Sequence, residues 1–248
     1  MAGILNLEGK IAIVTGAGMG LGYAEAKKFL ELGAKVAICD VNQEVLDKAV
    51  AELSEVGEVS GYICNVANKE QVEAMVKAVA DKYGRIDILV NNAGIIRDAQ
   101  FYKMTDDQWD AVINVNLNGT YYCCKAVIPY MMEQRYGKIL NTSSISALNG
   151  NFGQSNYAAS KNAVIGMTRV RGKDLGKYGI NVNAVLPGSI DTPMARVMKP
   201  EFQEMRIKQT ALKRLGDPEE FANAAAFMVS DLASLITAQT ITVDCGRS

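Results

Sequence analysis

At 248 residues the chain fits one large α/β domain, and an apolar share of 49% with 22 glycines suits a packed, turn-rich globular protein. Lysine and arginine (26) balance aspartate and glutamate (27), which argues against nucleic acid or an anionic membrane surface as a partner. Histidine is absent, so Ser-His-Asp and Cys-His nucleophile machinery and histidine-ligated zinc are excluded, and proton transfer falls to Tyr, Lys, Asp, Glu or Cys. Five cysteines, an odd number without a Cys-x-x-Cys spacing, give neither a disulfide framework nor a metal signature. No apolar run is long enough to span a bilayer and no signal-peptide pattern opens the chain, so a reducing, cytoplasmic compartment is expected.

The first element expected is a strand over 11–14, ended by the turn Thr15-Gly16-Ala17-Gly18-Met19-Gly20-Leu21-Gly22 and followed by an amphipathic helix over 23–32. Strand, glycine turn and helix together let a pyrophosphate approach the backbone and sit on the helix's N-terminal dipole. A second strand over 35–39 ends in Asp40, 18 residues after Gly22, close to where the acid of a dinucleotide fold meets the adenosine ribose. A carboxylate there accepts from ribose hydroxyls and repels a 2′-phosphate. Neither Met19 nor Val41 offers a cation to offset that repulsion, so NAD is expected rather than NADP.

The alternation continues with a third strand over 59–65, then a capping box from Asn68 to Gln71 that opens a helix ending at Gly84. A strand over 86–90 leads into Asn91-Asn92-Ala93-Gly94, where polar amides and small residues suit close contact with a ligand at the sheet's crevice. Thr105 and Gln108 cap a periodic segment reaching about Met132. Within it Asn114-Val115-Asn116-Leu117-Asn118-Gly119 is a poor helix former that marks a kink or a junction. A fifth strand over 138–142 delivers Ser143 and Ser144, a helix covers 157–178, and a sixth strand over 180–186 ends at Pro187 and Gly188. Residues 189–215 read as an irregular, mobile lid. Asp217-Pro218-Glu219-Glu220 starts a helix, and 240–243 is a last strand. The whole reads as a single domain over 1–248, a Rossmann-like doubly wound parallel sheet of about seven strands flanked by helices.

Tyr157 and Lys161, at i and i+4, share one helix face, so the cation reaches toward the phenol. A phenol ionises near pH ~10, so a base active near neutrality needs a shift of ~3 units, or ~4 kcal/mol. A unit charge ~4 Å away at an effective dielectric of ~20 supplies ~4 kcal/mol. The pair is a credible general acid/base and Ser144 a credible donor to a carbonyl oxygen. Tyr-x-x-x-Lys alone is equally well a core anchor beside a solvated lysine.

With the glycine turn, Asn-Asn-Ala-Gly, the serine and Tyr-x-x-x-Lys in this order, the chain resembles the short-chain dehydrogenase/reductase family over essentially its whole length. The resemblance implies a catalytic tetrad carried by Asn116, Ser144, Tyr157 and Lys161; Ser144 precedes Tyr157 by 13 residues, the family's usual interval. In that family Tyr exchanges the proton, Ser polarises the carbonyl, Lys lowers the Tyr pKa and holds the nicotinamide ribose, and Asn bends its helix. The implied cofactor contacts are Gly16, Met19, Gly20 and Leu21 at the pyrophosphate, Asp40 at the ribose, and Asn65 and Val66 at the adenine. Asn92, Ala93 and Gly94 lie at the central strand end, and Pro187, Gly188, Ile190 and Thr192 toward the nicotinamide amide, with Tyr157 and Lys161 shared. A homotetramer is implied as well. Residues 91–104 look like the 3-oxoacyl-thioester reductases, usually NADPH-dependent, whose carrier-protein members present two surface arginines; Arg135 matches one, and Tyr178 stands at the other. The expected activity is interconversion of a ketone and a secondary alcohol with NAD. The first substrate guess is a 3-oxoacyl or 3-hydroxyacyl thioester. The alternatives are a hydroxysteroid, polyol or small cyclic alcohol, or an NAD(H)-sensing binding protein.

Overall fold

The computed structural model describes residues 4–192 and 200–248. Seven strands form one parallel sheet: β1 (Ile11–Thr15), β2 (Lys35–Asp40), β3 (Val59–Ile63), β4 (Ile88–Asn91), β5 (Gly137–Thr142), β6 (Ile180–Pro187) and β7 (Thr240–Val243). Their order across the sheet is β3-β2-β1-β4-β5-β6-β7, so the winding reverses between β1 and β4. The flanking helices are α1 (Gly20–Glu31), α2 (Gln43–Ser54), α3 (Lys69–Tyr83), α4 (Asp106–Val112), α5 (Gly119–Gln134), the short α6 (Ser146–Asn149), α7 (Ser155–Leu175), α8 (Pro200–Gln209) and α9 (Pro218–Val229).

Period-two alternation divides the apolar strand residues between two cores. Ala12 and Val14 of β1 face one core, with Ala26 and Phe29 of α1 and Phe221 and Ala225 of α9. Ile11 and Ile13 face the other, with Val72, Val76 and Val79 of α3 and Cys123, Cys124, Val127 and Met131 of α5. A sheet covered on both faces needs strands that are apolar throughout, and β1, β4 and β5 are buried at every position. The fold expected from the sequence is therefore the observed one.

The structure differs from the expected elements in four places. The capping box expected before α3 is half made: Asn68 Oδ1 accepts the Gln71 N–H at 2.9 Å, but Gln71 Oε1 accepts from the Asn65 N–H at 2.8 Å. The Asn68 N–H is already taken by the Asn65 carbonyl at 2.9 Å. The weak point inside the long periodic segment is the junction of two helices, of a kind that spacing does not specify. It is a π-helical turn, Ile113–Asn118, that joins α4 to α5 and turns Asn116 fully inward. The strand expected over 59–65 stops at Ile63, and the one expected over 86–90 begins at Ile88. The stretch expected to be an irregular lid contains α8, which the sequence hides because Glu201, Glu204 and Lys208 leave no continuous apolar stripe; residues 193–199 of it lie outside the described residues.

Glu25 of α1 is fully buried, and neither carboxyl oxygen has a hydrogen-bond partner among the described residues. Burial pushes its pKa up from 4.5 to about 8. The folded chain then holds a proton that the unfolded chain releases between those values, so stability falls as pH rises from 4.5 toward 8. A shift of that size amounts to something on the order of 5 kcal/mol across the window. Thermal unfolding at pH 5, 6.5 and 8 should show a decline in the native protein that is flattened in Glu25→Gln. Parallel declines in the two proteins would place the pH sensitivity elsewhere.

Candidate active site

The glycine turn is latched to the end of β4. Asn92 Nδ2 donates to the Thr15 and Gly16 carbonyls, both at 3.0 Å, and Thr15 Oγ1 accepts from the Asn92 and Ala93 N–H groups, both at 3.1 Å. Gly16 has φ +62, and a Cβ there would stand 2.8 Å from the Ala93 Cα, so only glycine fits. Gly20, with φ +66, opens onto free space at the start of α1. The N-cap Met19 offers no side-chain acceptor, and the first turn of α1 holds no acid, so its N–H groups face the cleft uncapped. Asp40, at the end of β2, accepts from the Val41, Asn42 and Gly18 N–H groups at 2.8, 3.1 and 3.3 Å, which fixes its carboxylate beside the turn.

Along this edge runs a cavity of about 610 Å³, walled by Gly16, Met19, Gly20, Leu21, Asp40, Asn65, Val66, Asn92, Ala93, Gly94, Tyr157, Lys161, Pro187 and Thr192. A second cavity of about 420 Å³ adjoins it and holds Ser144, Gly188 and Ile190. Leu21, Ile96, Tyr157, Pro187 and Thr192 line both, so the two form one bent cleft with Tyr157 at the elbow. Of the eighteen positions singled out from the sequence, only Asn116 reaches neither cavity. It lies beneath: its Oδ1 accepts the Ile95 N–H at 2.8 Å, and its Nδ2 donates to the Ile95 carbonyl at 3.1 Å and to Ser160 Oγ at 3.2 Å. A Cβ on Gly94 would stand 3.3 Å from both Asn116 Oδ1 and Lys161 Nζ, so the β4 end, the π-turn and α7 converge there.

The three neighbouring serines separate cleanly. Ser143 and Ser144 are both buried and both line the cleft, but Ser143 spends its hydroxyl on the Lys161 carbonyl at 2.8 Å, whereas Ser144 acts on the Tyr157 phenol, lowering its pKa. Ser146 lines the same cavity through its own turn, its N–H donating to Ser144 Oγ at 3.1 Å. Lys161 Nζ sits 5.8 Å from the Tyr157 ring centroid and donates to the Thr142 carbonyl at 2.7 Å. Burial lowers the Lys161 pKa to about 8. Tyr157 is raised, by burial first, with the Ser144 hydrogen bond opposing and the Asp98 charge adding to the rise. The site as folded therefore holds Tyr157 as a phenol, the form that gives a proton.

Sequence reasoning missed the residues that brace these groups. Thr15 organises the latch, and buried Asn156 holds the start of α7 by donating to the Arg97 and Gln108 carbonyls, both at 3.0 Å. Asp98, Gln154, Arg206 and Arg247 line the second cavity. No spacing rule marks them, because each comes from a different loop or helix and only the tertiary fold joins them.

Comparison with known proteins assigns the chain. The family model described as enoyl-(acyl carrier protein) reductase matches residues 16–248. The 3-oxoacyl-[acyl-carrier-protein] reductase of Thermotoga maritima is 46% identical over 243 residues, 98% of this chain and 99% of that protein. The (2S)-[(R)-hydroxy(phenyl)methyl]succinyl-CoA dehydrogenase subunit of Thauera aromatica is 39% identical, over 98% of each chain. The crystal structure of a 3-oxoacyl-[acyl-carrier protein] reductase from Brucella melitensis superposes with a TM-score of 0.92 at 36% identity, covering 98% of this chain and 93% of that one. The chain belongs to the short-chain dehydrogenase/reductase family, oxidoreductases that act on CH–OH groups with a nicotinamide cofactor. The uncapped start of α1, the open approach at Gly20 and the acid at Asp40 fit such a dinucleotide. Among the described residues no group of three or more His, Cys, Asp or Glu is placed to hold a metal ion, and no helix is long and apolar enough to cross a membrane.

Proposed function

We propose that the protein is an NAD(H)-dependent reductase of 3-oxoacyl thioesters, working reversibly on the corresponding 3-hydroxyacyl compounds. The observation that carries this is Tyr157 at the elbow of the cleft, shared by both cavities, with Ser144 in the same cavity wall. A bound dihydronicotinamide would supply the hydride that converts the carbonyl carbon to the carbinol. Ser144 donates a hydrogen bond to the carbonyl oxygen, and Tyr157 Oη gives its proton to that oxygen as negative charge develops on it. Lys161, charged below pH about 8, stabilises the phenolate left behind. Asn116 positions the Ile95 backbone and Ser160 behind this group. The high identity to named 3-oxoacyl-[acyl-carrier-protein] reductases supports the thioester over the steroid or polyol readings.

The preference for NAD rests on Asp40. Its carboxylate lines the large cavity, whose described wall carries a single cation, Lys161, at the Tyr157 end. A 2′-phosphate at the Asp40 end would meet one negative charge and no positive one.

Replacing Tyr157 by Phe should lower kcat by about 10²–10⁴-fold, the usual worth of a positioned acid/base, while NADH affinity read by fluorescence titration stays near that of the native protein. Native-like turnover in that variant would end the proposal. The kcat for acetoacetyl-CoA reduction should be level below pH about 8 and fall above it as Lys161 loses its proton; a level profile through pH 9.5 would remove Lys161 from the proton chemistry. The kcat/KM for NADH should exceed that for NADPH by at least about tenfold, or ~1.4 kcal/mol. Asp40→Asn, which keeps an acceptor for the loop N–H groups but drops the charge, should narrow the ratio. A native preference for NADPH would show that Asp40 does not select the cofactor.

A further inference from the structure

The cavity that holds Ser144 and Tyr157 also carries two arginines that the proton chemistry leaves unused. Arg206 enters from α8 and Arg247 from the C-terminal tail, and both are half-buried. The acid on the same wall is Asp98, whose carboxylate is held by Gln154 Nε2 at 3.1 and 3.3 Å. Arg247 is no loose surface arm. Its Nη1 donates to Ser189 Oγ at 2.9 Å, and Ser189 is only 2% exposed. The tail backbone is wound around Asp244, whose carboxylate accepts the Gly246, Arg247 and Ser248 N–H groups at 2.9, 3.1 and 2.6 Å. This turn uses left-handed backbone at Cys245 and Gly246, with φ 58 and 70. The molecule thus commits structure to aiming a guanidinium into its own substrate cavity.

Two like charges in a part-buried pocket disfavour each other. Burial first, then the neighbouring Arg247, weakens the hold of Arg206 on its proton, and Asp98 opposes only part of this. Two guanidiniums against one carboxylate leave a positive charge that a ligand anion would balance. A guanidinium's planar fork matches a carboxylate by two parallel hydrogen bonds.

We propose that Arg206 and Arg247 bind a free carboxylate at the far end of the substrate's acyl chain, so that the substrates are 3-oxoacyl thioesters of dicarboxylic acids. This rests on the ketoreductase reading above. The same guanidiniums would also take a phosphate of a pantetheine carrier, the other anionic source. The acyl carboxylate is favoured because the arginines share one cavity with Ser144, which faces the reacting carbonyl, whereas a carrier phosphate is separated from that carbonyl by the whole pantetheine arm.

The test compares 3-oxoadipyl-CoA with 3-oxohexanoyl-CoA, which differ only by a carboxylate in place of the terminal methyl, in the full-length native protein with NADH. Native kcat/KM should favour the dicarboxylic thioester at least tenfold. That ratio should fall toward one in Arg206→Gln and Arg247→Gln, with thermal unfolding and NADH titration as controls for folding. The same pair as N-acetylcysteamine thioesters, which carry no phosphate, should keep the preference. A native ratio near one, or a ratio unchanged in both variants, overturns the inference and leaves the ketoreductase reading standing. A preference for CoA over N-acetylcysteamine with the methyl-ended chain, lost in the variants, would assign the arginines to the carrier phosphate and overturn it as well. If no thioester is reduced, the ketoreductase reading fails by itself. Calorimetric titration of glutarate into the NADH-loaded protein then decides the anion site: binding that is lost in Arg247→Gln upholds it, and absence of binding sinks it.

Discussion

A parallel sheet brings the C-terminal end of every strand to one edge, and this constraint shapes the whole molecule. Thr15, Asp40, Asn91, Thr142 and Pro187 end five successive strands of the sheet in space, β1, β2, β4, β5 and β6, and the cleft lies along that line. The winding reversal between β1 and β4 leaves no crossover to fill the gap between them. The Asn92 amide occupies the floor of that gap, tying the glycine turn to the β4 end through Thr15 and Gly16. Polar groups so placed cost little, because backbone N–H and C=O groups at strand ends need partners in any case.

Burial sets the proton chemistry at the elbow. Transferring an ammonium out of water disfavours its charge, and Lys161 is compensated by one strong hydrogen bond to the Thr142 carbonyl rather than by a carboxylate. A carboxylate partner would hold the lysine charged at every working pH and would also cancel its field at the phenol. A neutral carbonyl leaves the field intact. The same desolvation raises Tyr157, and the Ser144 hydroxyl, the one group that lowers it, is the group placed to face a carbonyl oxygen. Under the proposed function, acid strength and substrate recognition are coupled through one hydroxyl.

Much of this was legible in the chain. The strand-turn-helix rhythm is carried by apolar runs that must be buried on both faces, as at residues 11–14 and 88–90. The glycine turn and Tyr-x-x-x-Lys are legible because their chemistry depends on local spacing. What escaped depends on distance in space. A π-turn at Ile113–Asn118 is selected by the tertiary pairing of Asn116 with Ile95 and Ser160, residues 21 and 44 positions away. The hold of the Thr142 carbonyl on the Lys161 ammonium, at 2.7 Å, is likewise something that i,i+4 spacing does not reveal. Asp98 and Gln154, on separate loops, acquire meaning only when the fold closes one cavity around them.

Charge is used with opposite sign at the two ends of the cleft. At the dinucleotide end Asp40 is fixed by three backbone N–H groups, so it presents a preorganised negative charge without requiring a cation to hold it. At the substrate end Arg247 is fixed by a buried serine and a wound tail, presenting a preorganised positive charge. On the outer surface the pattern differs again. Arg135 donates to the Lys177 carbonyl at 2.9 Å and lies 5.6 Å from the Tyr178 ring centroid, where a second arginine would stand in a carrier-protein reductase. A cation stacked on an aromatic ring and tied to a backbone carbonyl offers less to an acidic carrier than a pair of free ones. If the proposed anion site holds, recognition concentrated at the acyl end of the cleft is the arrangement expected of an enzyme that discriminates among acyl chains more than among the carriers that bring them.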